Sequence, residues 1–488
     1  MARILVTGAT GYLGGRLIPR LLDDGHDVRC LVRDRRRLDA KAWRDRVEIR
    51  EGDALDEASL GGTMDGCDTL VYLVHSMGRS ERGFEDRDRQ AAANVATEAR
   101  RAGVRHLVYL GGLGDARRGM SRHLASRQET GRVLAASGVP VTEFRAAIVV
   151  GSGSISFEMI RYLTERLPVM VTPRWVSTRV QPIAVRDVLA YLQAAVGLPP
   201  RSAHDVVEIG GPDVHTYRDL MMIYADVRGL TRRMITTPVL SPRLSSYWIN
   251  LVTPIPASIA RPLVDGLSSE VVVGDPEPAR RYPVAPIPYR RAVELALDRT
   301  AQGAPLTLWS DAVSAVPRGT PTAETWSDAE GMRLDRRVRR IEAGAEACYA
   351  TIVRLGGERG WYAYDWAWRL RGLMDRLVGG IGMRRGRRDP DDLVAGDVVD
   401  FWRVQTLEPD RMLQLRAEMK LPGRAWLRFD LVPLGPHRTE LHQTAFFEPK
   451  GLAGVAYWAA VAPLHALIFP AMAREIARRA EAWQAEAA

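Results

Sequence analysis

The sequence predicts a doubly wound α/β domain followed by a smaller α+β domain with an antiparallel sheet. Through the first 150 residues or so, short apolar runs alternate with amphipathic helical segments, as in a parallel sheet covered by helices on both faces. From residue 333 onward the pattern changes to closely spaced strand-like segments and one long helix. With 488 residues the chain is too long for a single ordinary core.

The first domain is assigned to residues 1–303. The alternating strands and helices occupy its first 150 residues or so, and the rest of it forms a substrate-side extension. Its apolar runs predict strands, and the segments between them predict helices. The predicted strands are Ile4–Thr7, Asp27–Val32, Val47–Glu51, Thr69–Val74, His106–Leu110 and Val141–Val150. The predicted helices are Tyr12–Asp24, Asp88–Ala102 and Leu124–Ser137.

A linker is predicted at 304–332, where Pro, Gly, Ser, Thr and Ala cluster, and the second domain at 333–488. In the second domain a helix at Trp366–Leu377 precedes a meander of strands and a long closing helix. The predicted strands are Asp397–Leu407, Arg411–Met419, Ala425–Pro433 and Arg438–Phe447.

Composition excludes several classes of function. The net charge is +9, but the arginines are scattered and accompany no recognition helix or stacking aromatics, which argues against nucleic-acid binding. The three cysteines, Cys30, Cys67 and Cys348, have no metal-ligand or disulfide spacing. We therefore expect no metal site. The N-terminal MARILVTGAT reads as a buried strand and not as a signal peptide, so a cytoplasmic location is expected.

One long apolar stretch requires a membrane test. Between Lys450 and Arg474 the only side chain that might carry charge is His465, and the stretch is long enough to span a bilayer. Pro463, Pro470 and the charged continuation favour a buried start to an amphipathic helix. Peripheral membrane contact stays open as the alternative.

The glycine turn Gly8-Ala-Thr-Gly11-Tyr-Leu-Gly14 follows the first strand and opens the first helix. Glycines there allow a sharp turn and a close approach to a pyrophosphate, which the helix N-terminus stabilises. About 20 residues further on, an acidic side chain would receive a ribose hydroxyl of NAD, whereas arginine accommodates the 2′-phosphate of NADP. Arg33 occupies that position and Arg35–Arg37 follow, so NADP(H) is predicted; Asp34, one residue later, keeps NAD(H) open.

These motifs resemble the short-chain dehydrogenase/reductase superfamily, in its extended and atypical (NmrA-like) branch, with a Rossmann fold. The T-G-x-x-G-x-x-G spacing of Thr7–Gly14 matches its glycine signature, and Glu51-Gly-Asp53 with Asp56 resembles its G-D-x-x-D element. Gln181–Asp187 and Glu208–Pro212 resemble later landmarks. The resemblance and the arginine positions together imply these cofactor-binding residues: Thr7, Gly8, Thr10, Gly11, Tyr12, Leu13, Gly14, Arg33, Asp53, Leu73, Val74, His75 and Arg127.

The catalytic residues of that superfamily are not retained. Its members carry Y-x-x-x-K on the helix after the fifth strand and a serine one strand earlier. Here Gly111-Gly112-Leu113-Gly114 occupies the serine region, and at the spacing of the pair His123 replaces tyrosine and Arg127 replaces lysine. Histidine can act as a general acid or base, whereas arginine keeps its proton. His123 is the one candidate proton donor, with a packing role as the alternative.

Two other residues keep alternative roles at this stage. His75 either approaches the nicotinamide or is a loop histidine satisfied by backbone. Arg145, on the sixth strand, either contacts substrate or pairs with a carboxylate.

The second domain resembles a bacterial domain of unknown function that follows such Rossmann domains. The phrases that carry the resemblance include Gly360-Trp-Tyr362, Gly396–Arg403 and Ala417–Gly423. Its strand-rich meander with one long helix also looks like the helix-grip fold of START and polyketide-cyclase-like proteins. A helix held by a curved sheet leaves an apolar cavity that suits a hydrophobic ligand.

The sequence thus predicts an NADP(H)-dependent oxidoreductase that lacks the usual Y-x-x-x-K pair. The expected substrate is a small apolar carbonyl, enone or quinone-like molecule, with the C-terminal domain contributing to its binding. The alternatives are a non-catalytic NADP(H)-responsive sensor and a lipid- or quinone-handling protein at a membrane surface.

Overall fold

The computed structural model describes residues 2–38, 41, 43–74, 83–115, 120–236, 265–301, 324–329, 331–377, 387, 389 and 391–487. Within these residues the chain divides into two compact units, residues 1–315 and residues 316–488. Each unit has its own sheet and its own hydrophobic core.

A seven-stranded sheet forms the centre of the first unit, in the order β11-β6-β5-β4-β1-β2-β3. Every neighbouring pair in it is parallel. Its strands are β1 (Arg3–Thr7), β2 (Asp27–Val32), β3 (Glu48–Glu51), β4 (Thr69–Tyr72), β5 (His106–Gly112), β6 (Val141–Ala146) and β11 (His204–Ile209). Apart from the first residue of β1, the central strands β1, β4 and β5 are buried throughout, which explains their continuous apolar sequences.

Helices surround this sheet and build the extension beyond it. They are α1 (Gly14–Asp23), α2 (Glu57–Leu60), α3 (Phe84–Arg101), α4 (Arg122–Ala135), α5 (Ile155–Arg166), α6 (Val185–Val196), α7 (Tyr217–Val227) and α8 (Tyr289–Ala301). The strand order reverses between β1 and β4, and ligands of doubly wound sheets bind at the carboxyl ends of strands at such a point. The predicted α/β fold class is confirmed.

Short strands hold the extension together. They are β7 (Val149–Val150), β8 (Val169–Thr172), β9 (Arg179–Val180), β10 (Ile183–Ala184), β12 (His215–Thr216) and β13 (Arg233–Thr236). Side chains of the two landmark segments, Gln181–Asp187 and Glu208–Pro212, form hydrogen bonds that hold the extension together. Gln181 donates to the Gly211 carbonyl at 2.7 Å, Asp187 accepts from the Ile287 N–H at 2.9 Å, and Glu208 accepts from the Gly274 N–H at 2.6 Å.

The second unit contains an antiparallel sheet in the order β14-β15-β20-β19-β18-β17-β16. Its strands are β14 (Glu324–Ala329), β15 (Met332–Ile341), β16 (Val398–Val399), β17 (Trp402–Glu408), β18 (Met412–Ala417), β19 (Gly423–Gly435) and β20 (Arg438–Pro449). Its helices are α9 (Ala345–Ile352), α10 (Asp365–Leu377) and α11 (Gly451–Ala487). The α+β class predicted for this domain is confirmed, while the likeness to the helix-grip fold stays a prediction.

Two strands at the start of this sheet were not expected. β14 lies inside the range 304–332 that the sequence predicts as a linker, and β15 begins at its end. β15 reads MRLDRRVRRI, and its arginines interrupt the apolar alternation that marks a strand. In the structure Asp335 is fully buried on this strand and pairs with the nearly buried Arg337 at 2.9 Å, so an ion pair occupies interior positions.

The closing helix α11 differs from expectation in its first half. A buried start is predicted, yet only 22% of its most apolar stretch is buried in the structure. Within the described residues, α11 is the one helix long and apolar enough to cross a membrane by length and composition. The core contacts of α11 are concentrated in its second half, where Phe469, Met472 and Ile476 are buried.

Candidate functional site

A cavity of about 530 Å³ lies in the first unit at the carboxyl ends of β1, β2, β4, β5 and β6. Every predicted cofactor residue that the structure describes lines this cavity, and so does His123. These residues are Thr7, Gly8, Thr10, Gly11, Tyr12, Leu13, Gly14, Arg33, Asp53, Leu73, Val74 and Arg127. His75 lies outside the described residues.

Close backbone packing explains the glycines of the turn. Gly8 has a φ of +71°, and a Cβ there would lie 2.6 Å from the Leu73 carbonyl oxygen. A Cβ on Gly14 would lie 2.3 Å from the Gly8 carbonyl oxygen. The turn itself is closed by the Gly11 N–H, which donates to the same Gly8 oxygen at 2.9 Å. Only glycine fits these two positions, and the bare backbone can therefore approach a pyrophosphate.

Thr7 ties the turn to the neighbouring strand. Its hydroxyl donates to the Val71 carbonyl at 3.3 Å and accepts from the Leu73 N–H at 3.1 Å. Thr7 is 1% exposed, so water does not compete for these bonds. The hydroxyl thus fixes Leu73 and Val74 against the glycine turn, and both segments face the cavity.

Basic side chains dominate the end of the cavity after β2. Arg33 and Arg37 line it, whereas Asp34 does not. Both carboxylate oxygens of Asp34 accept hydrogen bonds from the Arg36 side chain, at 3.0 and 2.9 Å. These bonds lower the pKa of Asp34, so it stays ionised and paired. Asp34, the acidic residue that could contact a ribose, is therefore already paired with Arg36.

Asp53 follows β3 at the same end of the cavity. Its Oδ1 accepts from the Leu55 N–H at 3.1 Å, and its own N–H donates to the Ser59 hydroxyl at 2.9 Å. These bonds fix the carboxylate in a turn before α2. Its partner in the sequence element, Asp56, does not line the cavity.

Arg127 lies on α4 above the glycine end of β5. Its guanidinium donates to the Leu110 carbonyl and lies 5.0 Å from the centre of the Tyr109 ring. A Cβ on Gly112 would lie 3.5 Å from the Cβ of Arg127, so the glycine allows α4 to pack close to the strand. The arginine is held beside the cavity by backbone and ring contacts.

His123 lies on the first turn of α4, four residues before Arg127, and both side chains line the cavity. Residues four apart share one helix face, which accounts for this placement. The N-terminus of α4 is fixed by Ser121, whose hydroxyl accepts from the Leu124 N–H at 3.3 Å. Tyr109, in contrast, is fully buried inside β5, and burial raises its pKa to about 12. Tyr109 is therefore unsuited to replace the missing tyrosine.

The two roles left open for Arg145 are resolved in favour of pairing. Its Nε donates to Glu143 at 2.7 Å, and the Glu143 carboxylate is fully buried. His204 contacts the other Glu143 oxygen at 2.6 Å. Arg145 does not line the cavity, and its contact in the structure is the ion pair with Glu143.

The opposite end of the cavity is apolar and was missed by sequence reasoning. Side chains of α5, α7, the segment near 267–271 and the residue before β7 form it. They are Ile148, Ile155, Met159, Ile160, Leu163, Met221, Leu267 and Val271. In the sequence, the apolar residues Ile155, Met159 and Leu163 are four residues apart, and this spacing indicates an apolar helix face. Since they come from distant parts of the chain, their meeting requires the folded extension.

Two polar aromatic residues lie in this apolar end. Trp175 and Tyr217 both line the cavity, with ring centres 6.0 Å apart in an edge-to-face arrangement. The indole Nε1 of Trp175 is buried and has no hydrogen-bond partner among the described residues. Because a buried donor without a partner is unfavourable, this N–H is suited to a ligand acceptor. Burial raises the pKa of Tyr217, so its hydroxyl stays protonated at neutral pH.

Two family models match the chain. Residues 8–149 match the family described as NAD(P)H-binding, and residues 332–472 match a family described as protein of unknown function (DUF2867). Each match covers one of the two units in part, and the first contains the whole glycine turn.

Relatives of the chain include reductases and dehydrogenases. The ceramide reductase of Caulobacter vibrioides is 28% identical over 237 residues, 48% of this chain and 73% of that protein. A 3β-hydroxysteroid dehydrogenase/Δ5→4-isomerase of Mycobacterium tuberculosis is 36% identical over 118 residues, 22% of this chain and 31% of that protein. The chain thus spans most of the first relative and about a third of the second.

Among solved structures, the Citrobacter sp. triphenylmethane reductase complexed with NADP(H) is 23% identical, with a TM-score of 0.48. The match covers 60% of this chain and 99% of that protein. Residues 8–149, which lie within the Rossmann-like parallel sheet of the first unit, thus match an NAD(P)H-binding family, and the relatives of the chain include reductases and dehydrogenases. They do not favour the alternative of a non-catalytic sensor.

Proposed function

We propose that the chain is an NADP(H)-dependent reductase of an apolar carbonyl, enone or quinone-like substrate. The observation that carries the proposal is the division of one cavity into two ends. A glycine turn with Arg33 and Arg37 forms one end, and an apolar chamber with Trp175 and Tyr217 forms the other. A dinucleotide and an apolar substrate would therefore meet inside the same enclosure.

The residues present fit NADP(H). The glycine turn offers a backbone cradle that a single Cβ on Gly8 or Gly14 would close, and Asp53 lies where the resemblance places the adenine. Arg33 and Arg37 would bind the 2′-phosphate, since arginine forms strong charge-assisted bonds with phosphate oxygens. Arg127 would hold a ribose or phosphate from α4. When bound, the nicotinamide supplies the hydride.

Side chains of the protein orient the substrate carbonyl and supply the proton. The Trp175 N–H and the protonated Tyr217 hydroxyl are donors placed within an otherwise apolar chamber. His123, on the cavity side of α4, is the proposed proton donor. The apolar walls exclude water from the reacting carbonyl. Relatives named for a ceramide and for a steroid support an apolar substrate class.

Turnover tests the proposal directly. The full chain is mixed with NADPH and a panel of long-chain ketones, enones and quinones, and NADPH oxidation is followed by its fluorescence. We expect oxidation with at least one long-chain member and little with its short-chain analogue. Binding of NADPH without oxidation by any member of the panel would contradict the reductase assignment.

A variant of the chamber separates substrate binding from cofactor binding. Met159 is 6% exposed and lines the apolar end. Met159→Glu places a carboxylate among apolar walls, so we expect KM for the apolar substrate to rise at least about tenfold. NADPH affinity should not change. Met159→Leu, which preserves volume and polarity, is the matched control and should keep the KM within about twofold.

A further inference from the structure

The first half of α11 exposes an unusual set of side chains. Between 452 and 467 every exposed position is apolar, although soluble helices usually present charged residues there. These positions are Leu452, Ala453, Ala456, Ala459, Ala460, Pro463, Leu464, Ala466 and Leu467. The second half of the same helix is ordinary, with Arg474, Arg478, Arg479, Glu481 and Glu486 among its exposed residues.

The side of α11 opposite to these exposed residues packs against the sheet. Trp458 is 8% exposed and stacks on Phe447 of β20, with ring centres 5.7 Å apart and planes 6° from parallel. A Cβ on Gly454 would lie 2.4 Å from the Pro422 carbonyl oxygen, so helix and sheet are in close contact there. The segment therefore cannot cross a bilayer without losing these contacts, and it can only present one face.

A second helix that contacts α11 also exposes apolar side chains. On α10 the exposed residues Trp366, Leu370 and Leu373 are spaced four and three apart, on one helix face. They are 58%, 49% and 51% exposed. Arg371 of α10 donates to the Tyr457 hydroxyl of α11, with its guanidinium 5.4 Å from the ring centre. This contact brings the two helices together.

Basic residues surround the apolar segments. Lys450 and Arg474, both exposed, stand at the two ends of the apolar half of α11, about 36 Å apart along a helix of this length. Arg369 is exposed on α10, and Asp365 is the exposed acidic residue of that helix. No carboxylate occurs between 451 and 473, and the whole chain carries a net charge of +9.

We propose that this surface lies on an anionic lipid bilayer. The apolar face, defined as Leu452, Leu464 and Leu467 of α11 with Trp366, Leu370 and Leu373 of α10, enters the boundary between headgroups and acyl chains. Leucine and tryptophan on one side with flanking lysine and arginine are the composition of helices that lie in the membrane plane. The absence of polar side chains at the exposed positions between 452 and 467 of α11 disfavours a protein partner, because protein interfaces carry a polar, hydrogen-bonding rim.

Vesicle co-sedimentation of the full chain tests the proposal. The lipids are phosphatidylcholine alone and a mixture with phosphatidylglycerol. We expect binding to the mixed vesicles and weaker binding to the neutral ones, because juxtamembrane cations attract anionic lipid. The double variant Leu464→Glu/Leu467→Glu should bind the mixed vesicles at least about tenfold more weakly, since both side chains would be charged at the lipid boundary.

A matched control uses the same helix beyond the apolar half. Ala482 and Ala485 are exposed, so Ala482→Glu/Ala485→Glu adds the same charge outside the apolar face and should bind nearly as wild type. Circular dichroism verifies that both variants fold. Trp366→Phe should reduce fluorescence quenching by brominated lipid, a readout that does not depend on the two leucines.

Three results would overturn the proposal. They are no binding of the wild type to either vesicle, equal loss in the two double variants, and self-association of the wild type that Leu464→Glu/Leu467→Glu abolishes without any vesicle binding. The last, measured by light scattering, would assign the face to a second copy of the chain. None of these results bears on NADPH oxidation, so the proposed reductase activity is tested separately.

Discussion

Arg36 binds both carboxylate oxygens of Asp34 at the end of β2, and its backbone N–H adds a third hydrogen bond at 3.0 Å. This pairing satisfies the acidic side chain nearest to the expected ribose position. Arg33 and Arg37 then remain on the cavity side of the same segment. The charge that a dinucleotide meets there is positive.

Removing the two cavity arginines should change cofactor preference. With Arg33→Ala/Arg37→Ala we expect the Kd for NADPH to rise at least about tenfold, because charge-assisted bonds to the 2′-phosphate are lost. The Kd for NADH should stay within about twofold. Fluorescence titration with both dinucleotides measures the two constants. Unchanged NADPH affinity would refute the 2′-phosphate assignment.

Two single variants sharpen this test. Arg46→Ala removes an arginine that pairs with Asp23 at 3.3 Å outside the cavity lining, and it should leave both constants unchanged. Arg36→Ala removes the two side-chain hydrogen bonds to Asp34 and keeps the backbone one, so the preference for NADPH over NADH should narrow. An effect of Arg46→Ala equal to that of the cavity arginines would indicate a loss of overall charge instead.

A methyl group on Gly14 should abolish dinucleotide binding. The added Cβ would lie 2.3 Å from the Gly8 carbonyl oxygen, and the two backbone segments would have to separate. We therefore expect Gly14→Ala to lose measurable NADPH binding in calorimetry. Gly25→Ala is the control, since Gly25 has a φ of +81° but nothing within 4 Å of a Cβ. It should lower the Tm while leaving NADPH affinity intact.

Loss of the proposed proton donor should affect turnover and not binding. With His123→Gln we expect kcat to fall at least about tenfold, because general acid catalysis contributes factors of that order or greater. NADPH affinity should stay within about twofold. A general acid must be protonated, so we expect the wild-type rate to fall at high pH and the variant to lose this fall. An unchanged pH profile would leave His123 with a packing role only.

The indole N–H of Trp175 offers a separate test at the substrate end. Trp175→Phe keeps an aromatic ring and removes the donor that has no protein partner. We expect kcat/KM for a carbonyl substrate to fall about tenfold, the value of one lost hydrogen bond of roughly 1.4 kcal/mol. Met221→Leu, at another position in the cavity wall, should have little effect. Equal effects of the two variants would remove Trp175 from carbonyl recognition.

Acid should destabilise the first unit through His106. Burial lowers the pKa of His106 to about 4, and its ring contacts the Thr142 hydroxyl at 3.0 Å. Between pH 6.5 and 4 the unfolded chain binds a proton that the folded chain does not, so the free energy of unfolding falls as the pH falls. The full effect is on the order of 3 kcal/mol.

Thermal unfolding at several pH values measures this contribution. The transition of the first unit is identified by its shift on adding NADPH. His106→Gln keeps a polar side chain but cannot take up the proton, so its Tm should depend less on pH in this range. A parallel loss of Tm in wild type and variant would assign the acid sensitivity to other groups.

The sequence was most informative where local chemistry decides the structure. β2 has the predicted bounds Asp27–Val32, because a buried parallel strand is a continuous apolar run between helices. The glycine turn was equally clear, since its spacing follows from backbone approach. The strand β15 was missed because its buried Asp335–Arg337 pair looks like surface charge in a sequence.

Other site features depend on contacts between distant segments. The partner of Arg145 is Glu143, two residues away, yet only burial distinguishes that pairing from a substrate contact. The chamber around Trp175 brings together α5, α7 and the segment near 267–271. Periodicity indicates that each of these is partly apolar, but not that they meet. The exposed face of α11 was likewise hidden, because an apolar stretch reads the same whether a core or a bilayer covers it.

The glycines at the end of β5 have a consequence for how such a chain can change. A Cβ on Gly112 would lie 2.8 Å from Cδ2 of Leu124, and one on Gly111 would lie 2.8 Å from Oε1 of Glu143. A serine at either position would therefore require the neighbouring side chain to move aside. Any larger residue in this region is thus coupled to its surroundings, through Leu124 of α4 at Gly112 and through the buried Glu143 carboxylate at Gly111.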